Sequence, residues 1–349
     1  MIELNKIYNE DCLVTLSKID NNSIDCVVTS PPYFNLRNYK IDGQIGIEET
    51  PQLYIDKLVD VFFEVYRVLK PTGTLWVNLG DSYNGSGGNH KEHHKNDTGF
   101  QGGVGAKYGG KGANVQGLKR KDLIGIPWVF AFAMRDRVGF YLRQDIIWEK
   151  GNPMPEPVKD RCVKSHEYIF LFSKSEKYYF DYQAIQEPSV TFIDKEPQEI
   201  TQIRFGGKKY GDSDDPHHAT KSGKEWKPQM KNLIDDGQKP NTMHLRRAEG
   251  MQDIQYAVRN KRDVWHVNTE PSNLEHCAMF PTKLITPCIL AGCPENGIVY
   301  DPFGGAATTA LTTLRCGGNR KFILSELNPE YVKIGEKRIL PELQQLKLF

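Results

Sequence analysis

The chain has 349 residues and a formal net charge of +1, so its overall charge does not identify a partner. It contains no run of 18 apolar residues, and its amino terminus lacks a signal-peptide pattern; we therefore expect a soluble, cytoplasmic protein with no membrane contact. The seven cysteines lack Cys-x-x-Cys spacing and indicate reduced core thiols, without a metal site. The length allows one large α/β core with an inserted module.

Two short apolar segments open the chain. Residues 5–9 predict a strand that ends before Asp11, and the β-branched run 24–28 predicts a buried parallel strand. The next five residues are Thr29-Ser30-Pro31-Pro32-Tyr33, and their two prolines fix a rigid loop at the carboxyl end of the strand. Open α/β sheets bind ligands at that edge. A hydroxyl, a proline carbonyl and an aromatic face presented together suit a planar ring that carries an amine.

A helix, a strand and a glycine-rich segment follow. Apolar residues at helical spacing predict a helix over 52–69 and then a strand over 74–79. Residues 84–121 contain eleven glycines, and seven Lys or Arg against two acids, a net charge of +5. This composition does not bury a core. The segment is either a solvated linker or a loop that closes over a polyanion through side chains such as Lys119 and Arg120.

The middle of the chain continues the sheet and then becomes polar. We expect a helix after Asp122 whose buried face is Val129, Phe130, Ala133 and Met134, and strands over 142–148 and 167–172. A stiff, proline-rich connector at 152–157 joins the two strands.

A second basic segment runs from residue 201 to 264, with thirteen Lys or Arg against nine acids, a net charge of +4. It is either a charged surface insertion or a surface that contacts a polyanion such as a nucleic acid. The candidate contacts with such a ligand are Lys208, Lys209, Arg246, Arg247, Arg259 and Arg262.

The last part of the chain carries a glycine-bearing turn between two strands. Residues 297–300 predict a strand that leads into Asp301-Pro302-Phe303-Gly304-Gly305-Ala306-Ala307-Thr308-Thr309 and a helix. A further strand, 321–325, ends at Glu326, where an acid holds ribose hydroxyls in nucleotide-binding folds. The turn alone would also suit a nucleotide-dependent dehydrogenase, which gives no role to residues 30–33.

Together, the two motifs resemble the amino-methylating, S-adenosyl-L-methionine-dependent DNA methyltransferases. Their catalytic motif is Ser/Asp/Asn-Pro-Pro-Tyr/Phe and their cofactor motif is Asp-Pro-Phe-x-Gly-Ser-Gly-Thr-Thr. The resemblance implies a Rossmann-like α/β fold with a mostly parallel twisted sheet and helices on both faces. It implies the catalytic residues Ser30, Pro31, Pro32 and Tyr33. It implies cofactor contacts from Asp11, Phe280, Asp301, Pro302, Phe303, Gly305, Thr308 and Glu326. This chain departs from the motif at Ala306 and Ala307, and the methyl group of Ala307 would crowd a cofactor where glycine would not.

The order of the motifs resembles a circularly permuted subgroup, with the catalytic motif first and the cofactor motif last. This implies a catalytic half at 1–184, a target-recognition region at 185–264 and a cofactor-binding half at 265–349. The proline-rich connector resembles one that lies near the target base, so Trp148, Lys150 and Asn152 either border the base pocket or only stiffen the chain.

The chemistry of the target explains the catalytic motif. The amine of a base is a poor nucleophile, and acceptance of its hydrogens by the Ser30 hydroxyl and the Pro31 carbonyl would aim its lone pair outward. Tyr33 would stack on the base, which must first be flipped out of the duplex. A serine at the first position is typical of enzymes that modify cytosine N4; adenine N6 is the alternative. A DNA-binding protein with a decayed cofactor site is the non-enzymatic alternative. The expected partner is double-stranded DNA, with a cognate restriction endonuclease and a homodimer left open.

Overall fold

The protein is described here by a computed structural model, which covers residues 2–36, 41–85, 115, 117–153, 155–188, 258–270 and 279–346. The chain forms two compact units. The first combines Met1–Ile185 with Asn260–Phe349, and the second is Gln186–Arg259.

The first unit is built on one eight-stranded sheet. Its strands are β1 (Lys6–Tyr8), β2 (Ile24–Thr29), β3 (Leu69–Leu79), β4 (Tyr141–Glu149), β5 (His166–Ser173), β8 (Val264–His266), β9 (Ile298–Asp301) and β10 (Lys321–Ser325). They lie in the order β1-β10-β9-β2-β3-β5-β4-β8, and among these eight strands β5 alone runs antiparallel to its neighbours. The predicted mostly parallel sheet is confirmed.

Helices cover both faces of this sheet, as predicted. They are α1 (Cys12–Ser17), α2 (Pro51–Val68), α3 (Ile126–Ala133), α4 (Thr282–Gly292), α5 (Thr308–Arg315) and α6 (Pro329–Leu346). Alternate residues of β2 point to opposite faces. Val27 joins the core formed with α2 and α3, while Cys26 and Val28 join the core formed with α4.

A capping residue and a proline fix the amino end of α2. The Thr50 hydroxyl accepts a hydrogen bond from the Leu53 amide at 3.2 Å, and Pro51 occupies the first turn.

The predicted burial of Val129 in α3 is wrong: its side chain is 43% exposed, whereas Phe130 and Met134 are fully buried. Successive helical residues differ by about 100° in direction, so the face that holds Phe130 turns Val129 toward solvent.

The second unit contributes a short antiparallel ladder to the described residues, β6 (Glu187–Pro188) with β7 (Val258–Arg259). Lys208, Lys209, Arg246 and Arg247 lie outside the described residues, so their contacts with DNA stay predictions. Within the described ranges, no helix combines the length and apolar character that a bilayer crossing requires.

The sheet order brings the two motifs together. β2 and β9 are parallel neighbours, with Cys26 opposite Val299 and Val27 opposite Tyr300. Their carboxyl ends therefore meet at one edge, although 272 positions separate Thr29 from Asp301. The strand predicted at the start of the chain forms β1, which pairs with β10 and so lies third in the order β9-β10-β1. That the motif order is a circular permutation stays a prediction.

Candidate active site

Asp301 joins the loop after β2 to the turn after β9. Its buried carboxylate accepts hydrogen bonds from the Thr29 hydroxyl and the Thr309 hydroxyl, both at 2.6 Å, and from the Phe303 amide at 3.0 Å. Burial raises the pKa of Asp301 to about 6, and the three donors oppose that rise. The carboxylate thus holds the two motif loops together. A direct cofactor contact by Asp301 stays a prediction.

The turn after β9 is shaped by two glycines and by Glu326. A Cβ on Gly304 would lie 2.9 Å from the Leu324 side chain, so the turn packs directly on β10. Gly305 has φ +52, and no described atom lies within 4 Å of an added Cβ there. Its amide donates to Glu326 Oε2 at 2.7 Å. The turn therefore presents open space beside a carboxyl group that lies at the tip of β10.

Glu326 is held from two sides. Besides the Gly305 amide, the Asn328 amide donates to its Oε1 at 2.7 Å. Burial raises the pKa of Glu326 to about 7, and the neighbouring charge of Asp301 adds to the rise. The carboxyl group is therefore poised to change protonation state near neutral pH.

The structure places the methyl group of Ala307 in the protein core. Ala307 is fully buried and has φ +62, a left-handed conformation in which glycine is favoured. Its Cβ lies so close to Gly335 in α6 that a Cβ added there would be 2.8 Å away. The expected crowding of the cofactor by this methyl group is therefore not supported, because the methyl group packs between α5 and α6.

The other predicted cofactor residues lie around the same edge. Asp11 caps α1 by accepting from the Leu13 amide at 2.8 Å, directly after β1. Pro302 is buried and Phe303 is half-buried. Thr308 is 5% exposed and begins α5. Phe280 packs on the core on the α4 side of the sheet, and its contact with a cofactor stays a prediction.

The catalytic loop is anchored by α2 and β3. The Tyr54 hydroxyl in α2 donates to the Pro32 carbonyl at 2.8 Å. The Ser30 hydroxyl donates to Asn78 Oδ1 at 3.4 Å. Among the described residues, no hydrogen bond reaches the Pro31 carbonyl. No donor of the described residues therefore competes with a ligand for the Pro31 carbonyl.

Tyr33 belongs to a polar network behind the loop. Its hydroxyl lies 2.6 Å from Glu167 Oε2 and 3.2 Å from Asn78 Oδ1. Asn78 Nδ2 donates to the same Glu167 oxygen at 3.1 Å, and Lys150 forms an ion pair with the other oxygen. Burial and the nearby Glu167 carboxylate raise the pKa of Tyr33 well above its usual range, so the hydroxyl keeps its proton.

Sequence reasoning did not single out Tyr54, Asn78 or Glu167 as site residues. Asn78 and Glu167 were visible only as members of predicted strands, and Tyr54 as part of a predicted helix. Polar residues inside apolar strands were the available signal, because a buried polar group needs partners.

The three residues considered for the border of the base pocket, in and just before the proline-rich connector, make different contacts. Trp148 is buried and donates from Nε1 to the Val267 carbonyl at 2.7 Å. Asn152 Oδ1 accepts from the Thr269 amide at 2.9 Å. Both contacts stiffen the chain. Lys150 instead joins the Tyr33 network through its ion pair with Glu167, and its place at the border of the base pocket stays a prediction.

Four of the predicted DNA contacts fall within the described residues. Lys119, Arg120 and Arg262 are exposed. Arg259 forms an ion pair with Glu187 at 3.0 Å inside the second unit, which occupies part of its guanidinium group. Contact of these side chains with DNA stays a prediction.

Solved structures agree with this architecture. The PvuII DNA methyltransferase, described as cytosine-N4-specific, aligns with a TM-score of 0.57 and 19% identity over 97% of this chain and 87% of that one. A protein of Thermus thermophilus, described as a putative DNA modification methylase and complexed with S-adenosyl-L-methionine, aligns with a TM-score of 0.51 and 19% identity over 97% and 94% of the chains. At this identity the likeness concerns the fold, which is that of S-adenosylmethionine-dependent methyltransferases.

Sequence comparisons identify the family. The family model described as DNA methylase, of the N6 and N4 type, matches residues 24–337. The Type II methyltransferase M.Cfr9I of Citrobacter freundii is 36% identical over 343 residues, which cover 98% of this chain and 90% of that protein. M.SmaI of Serratia marcescens is 37% identical over 335 residues, 96% and 90% of the two chains. The chain therefore belongs to the N6/N4 DNA methylase family, the S-adenosylmethionine-dependent amino-methyltransferases of DNA, and the dehydrogenase alternative is excluded.

The residues of the turn fit the cofactor of this family. The open space at Gly305 allows a ligand to approach the backbone, and the Glu326 carboxyl group can accept hydrogen bonds from ribose hydroxyls. The first turn of α5 has no side-chain cap, which leaves its amides directed at the same edge.

Proposed function

We propose that this protein is a site-specific DNA methyltransferase that modifies the N4 amino group of a flipped cytosine in double-stranded DNA. The observation that carries the proposal is the 2.6 Å hydrogen bond from Thr29 to Asp301. It ties the end of β2, where the loop Ser30-Pro31-Pro32-Tyr33 begins, to the turn that begins at Asp301. The acceptor site for a base amine and the candidate cofactor site therefore share one edge of the sheet.

The hydrogen bond of Ser30 explains how a neutral hydroxyl group works as an acceptor. A hydroxyl group carries one proton and two lone pairs. Because the Ser30 hydroxyl donates its hydrogen bond to Asn78 Oδ1, the lone pairs of the Ser30 oxygen would remain for one hydrogen of the target amine. The Pro31 carbonyl would accept the second hydrogen. Together they would hold the amine nitrogen in a pyramidal form, with its lone pair directed away from the loop.

Orientation supplies most of the rate enhancement in this scheme. S-adenosylmethionine, when bound at the turn by residues such as Glu326 and Gly305, supplies an electrophilic methyl group. The protein holds the amine lone pair in line with that group, which lowers the entropic part of the barrier. Stacking on Tyr33 would contribute about 1–3 kcal/mol to holding the base, and flipping the base costs a few kcal/mol.

Cytosine N4 is favoured over adenine N6 by the serine at position 30, the form typical of cytosine-modifying members. The relatives are named Type II methyltransferases, so we further propose that this protein protects host DNA from a companion restriction endonuclease. The basic segments at 84–121 and 201–264 would bind the DNA backbone. A homodimer stays a prediction.

Mass spectrometry of nucleosides tests the proposal. Purified protein is incubated with unmethylated duplex DNA and S-adenosylmethionine, and the DNA is then hydrolysed. We expect N4-methylcytosine. N6-methyladenine would refute the base assignment, and the absence of any methylated nucleoside would refute the enzyme. Calorimetry without detectable heat of S-adenosylmethionine binding would leave the DNA-binding alternative.

The variant Ser30→Ala tests the role of the hydroxyl group. Loss of one acceptor that acts on the reacting group predicts a fall of about 100-fold in the rate of methyl transfer, with unchanged affinity for S-adenosylmethionine. Ser175→Ala is the matched control, because the Ser175 hydroxyl lies 2.7 Å from both the Pro71 and the Lys177 carbonyl oxygens, in the turn after antiparallel β5 at the opposite edge of the sheet. Wild-type activity in Ser30→Ala would contradict the mechanism.

A further inference from the structure

We propose that Glu167, held by Lys150 and Asn78, is a positioning residue that fixes the ring of Tyr33 for stacking on the target base. The inference rests on the proposed function and adds to it a residue outside both sequence motifs. Glu167 lies in β5, which runs antiparallel to β3 in the centre of the sheet. Neither Glu167 nor Lys150 belongs to the loop that it would organise.

The single proton of the Tyr33 hydroxyl identifies its partner. Two acceptors are within reach, Glu167 Oε2 at 2.6 Å and Asn78 Oδ1 at 3.2 Å. A hydroxyl donates one hydrogen, and a hydrogen bond to a carboxylate is shorter and stronger than one to an amide. Tyr33 therefore donates to Glu167, and Asn78 Oδ1 is left to receive the hydrogen of Ser30.

Glu167 is itself held in place. Lys150 pairs with its Oε1, and Asn78 Nδ2 donates to its Oε2 at 3.1 Å. Asn78 Nδ2 also donates to the Tyr168 carbonyl at 3.1 Å, which fixes the orientation of the amide group. Both carboxylate oxygens of Glu167 accept hydrogen bonds from donors. Glu167 is therefore better suited to hold Tyr33 in place than to remove a proton from the substrate. Asn78 thus connects the Ser30 hydroxyl with Glu167, the residue that holds Tyr33.

Gly80 makes room for this arrangement. A Cβ at Gly80 would lie 2.7 Å from Cε2 of Tyr33 and 3.3 Å from the carboxyl carbon of Glu167. The Tyr33 ring edge and the Glu167 carboxyl group therefore both pack directly on the backbone at the end of β3. The position of the ring is set by two contacts, the glycine beneath its edge and the carboxylate at its hydroxyl.

The fixed ring has a consequence for catalysis. Tyrosine has two rotatable side-chain bonds, and a ring free to turn about them would lose part of the stacking energy to ordering when the base enters. An anchored ring presents its face before the base arrives. The anchor should therefore affect methyl transfer to DNA while leaving the affinity for S-adenosylmethionine unchanged.

A double-mutant cycle tests the inference. Single-turnover methyl transfer, with both substrates saturating, is compared for wild type, Glu167→Ala, Glu167→Gln, Tyr33→Phe and Tyr33→Phe/Glu167→Ala. A hydrogen bond to a charged group predicts a fall of about 10–100-fold in Glu167→Ala and partial rescue in Glu167→Gln. If Glu167 acts through the hydroxyl of Tyr33, the double variant should be no slower than Tyr33→Phe. Glu149→Gln, which alters an exposed carboxylate paired with His266, is the control.

Three results would overturn the inference: wild-type rates in Glu167→Ala, additive losses in the double variant, or an unchanged Tyr33 in a crystal structure of Glu167→Ala. We expect that structure to show the Tyr33 ring displaced from its position over Gly80. This readout requires no activity, so it tests the anchor even if wild-type protein methylates nothing, an outcome that would refute the proposed function separately. Should Glu167→Ala fail to fold, Tyr33→Phe, which removes the donor of the same hydrogen bond, carries both measurements.

Discussion

The protonation of Glu326 should control the affinity for S-adenosylmethionine near neutral pH. Burial raises the pKa of this carboxyl group to about 7, while the Gly305 and Asn328 amides, each at 2.7 Å, oppose the rise. Two perturbations address it, a change of pH and the variant Glu326→Gln. The glutamine side chain of the variant does not titrate. A pH dependence that wild type shows and the variant lacks is therefore due to Glu326.

The sign of the effect follows from the direction of the shift. The folded-state pKa lies above the ordinary value of 4.5, so the protonated form is the one the folded protein favours. Acid therefore stabilises the fold through this group, and the stabilisation is lost as pH rises through about 7. Cofactor binding should show the opposite trend, because a carboxylate accepts hydrogen bonds from ribose hydroxyls better than a protonated carboxyl group.

The size of the pH effect on the affinity for S-adenosylmethionine is set by the fraction of Glu326 in the carboxylate form. With a pKa of about 7 this fraction is about one-tenth at pH 6 and about nine-tenths at pH 8. If only the carboxylate binds, the dissociation constant should be about tenfold larger at pH 6 than at pH 8, or about 1.4 kcal/mol. Glu326→Gln should bind more weakly at pH 8 and should lack this dependence.

Isothermal titration calorimetry with S-adenosylmethionine at pH 6, 7 and 8 measures the effect in both proteins. The amino group of the ligand titrates as well, and subtraction of the variant from the wild type removes its contribution. Parallel pH profiles for the two proteins, or tighter wild-type binding at pH 6, would refute the reasoning.

Two further predictions concern stability, measured by thermal or urea denaturation. Thr29→Val removes one of the two hydroxyl donors, each at 2.6 Å, from the buried Asp301 carboxylate, so we expect the free energy of unfolding to fall by about 1–3 kcal/mol. The control Thr312→Val removes only a bond to the Thr308 carbonyl within α5, and its loss should be smaller. Equal losses in the two variants would argue that the Thr29–Asp301 bond does not hold the two loops together. Gly335→Ala would gain about 0.5–1 kcal/mol in an open helix, but the added Cβ would lie 2.8 Å from Cβ of Ala307, so we expect destabilisation by about 1–3 kcal/mol. The second substitution Ala307→Gly should restore the stability of Gly335→Ala. An increase in stability in Gly335→Ala alone would contradict the close contact of Gly335 with Ala307.

Local sequence was sufficient for the elements that carry the site. The β-branched run before Thr29 forms β2 because such residues suit a strand buried on both faces, and Pro31 and Pro32 end it because proline cannot donate to the ladder. The turn at Gly304 and Gly305 was likewise predictable, since it needs glycine for close packing on β10 and for a positive φ. Each of these features depends on residues that are neighbours in the chain.

The partners of the site residues depended on tertiary structure. The motif does not show that Asp301 would bond Thr29, that Tyr33 would donate to Glu167 across 134 positions, or that the Ala307 methyl group would turn toward Gly335. These contacts join different elements of the fold, so they are set by strand order and by the packing of helices on the sheet. The sequence by itself determined which chemical groups stand at the strand ends and the family they belong to. Only the fold decided which of them meet, because side chains distant in sequence become neighbours through the pairing of β2 with β9 and of β3 with β5.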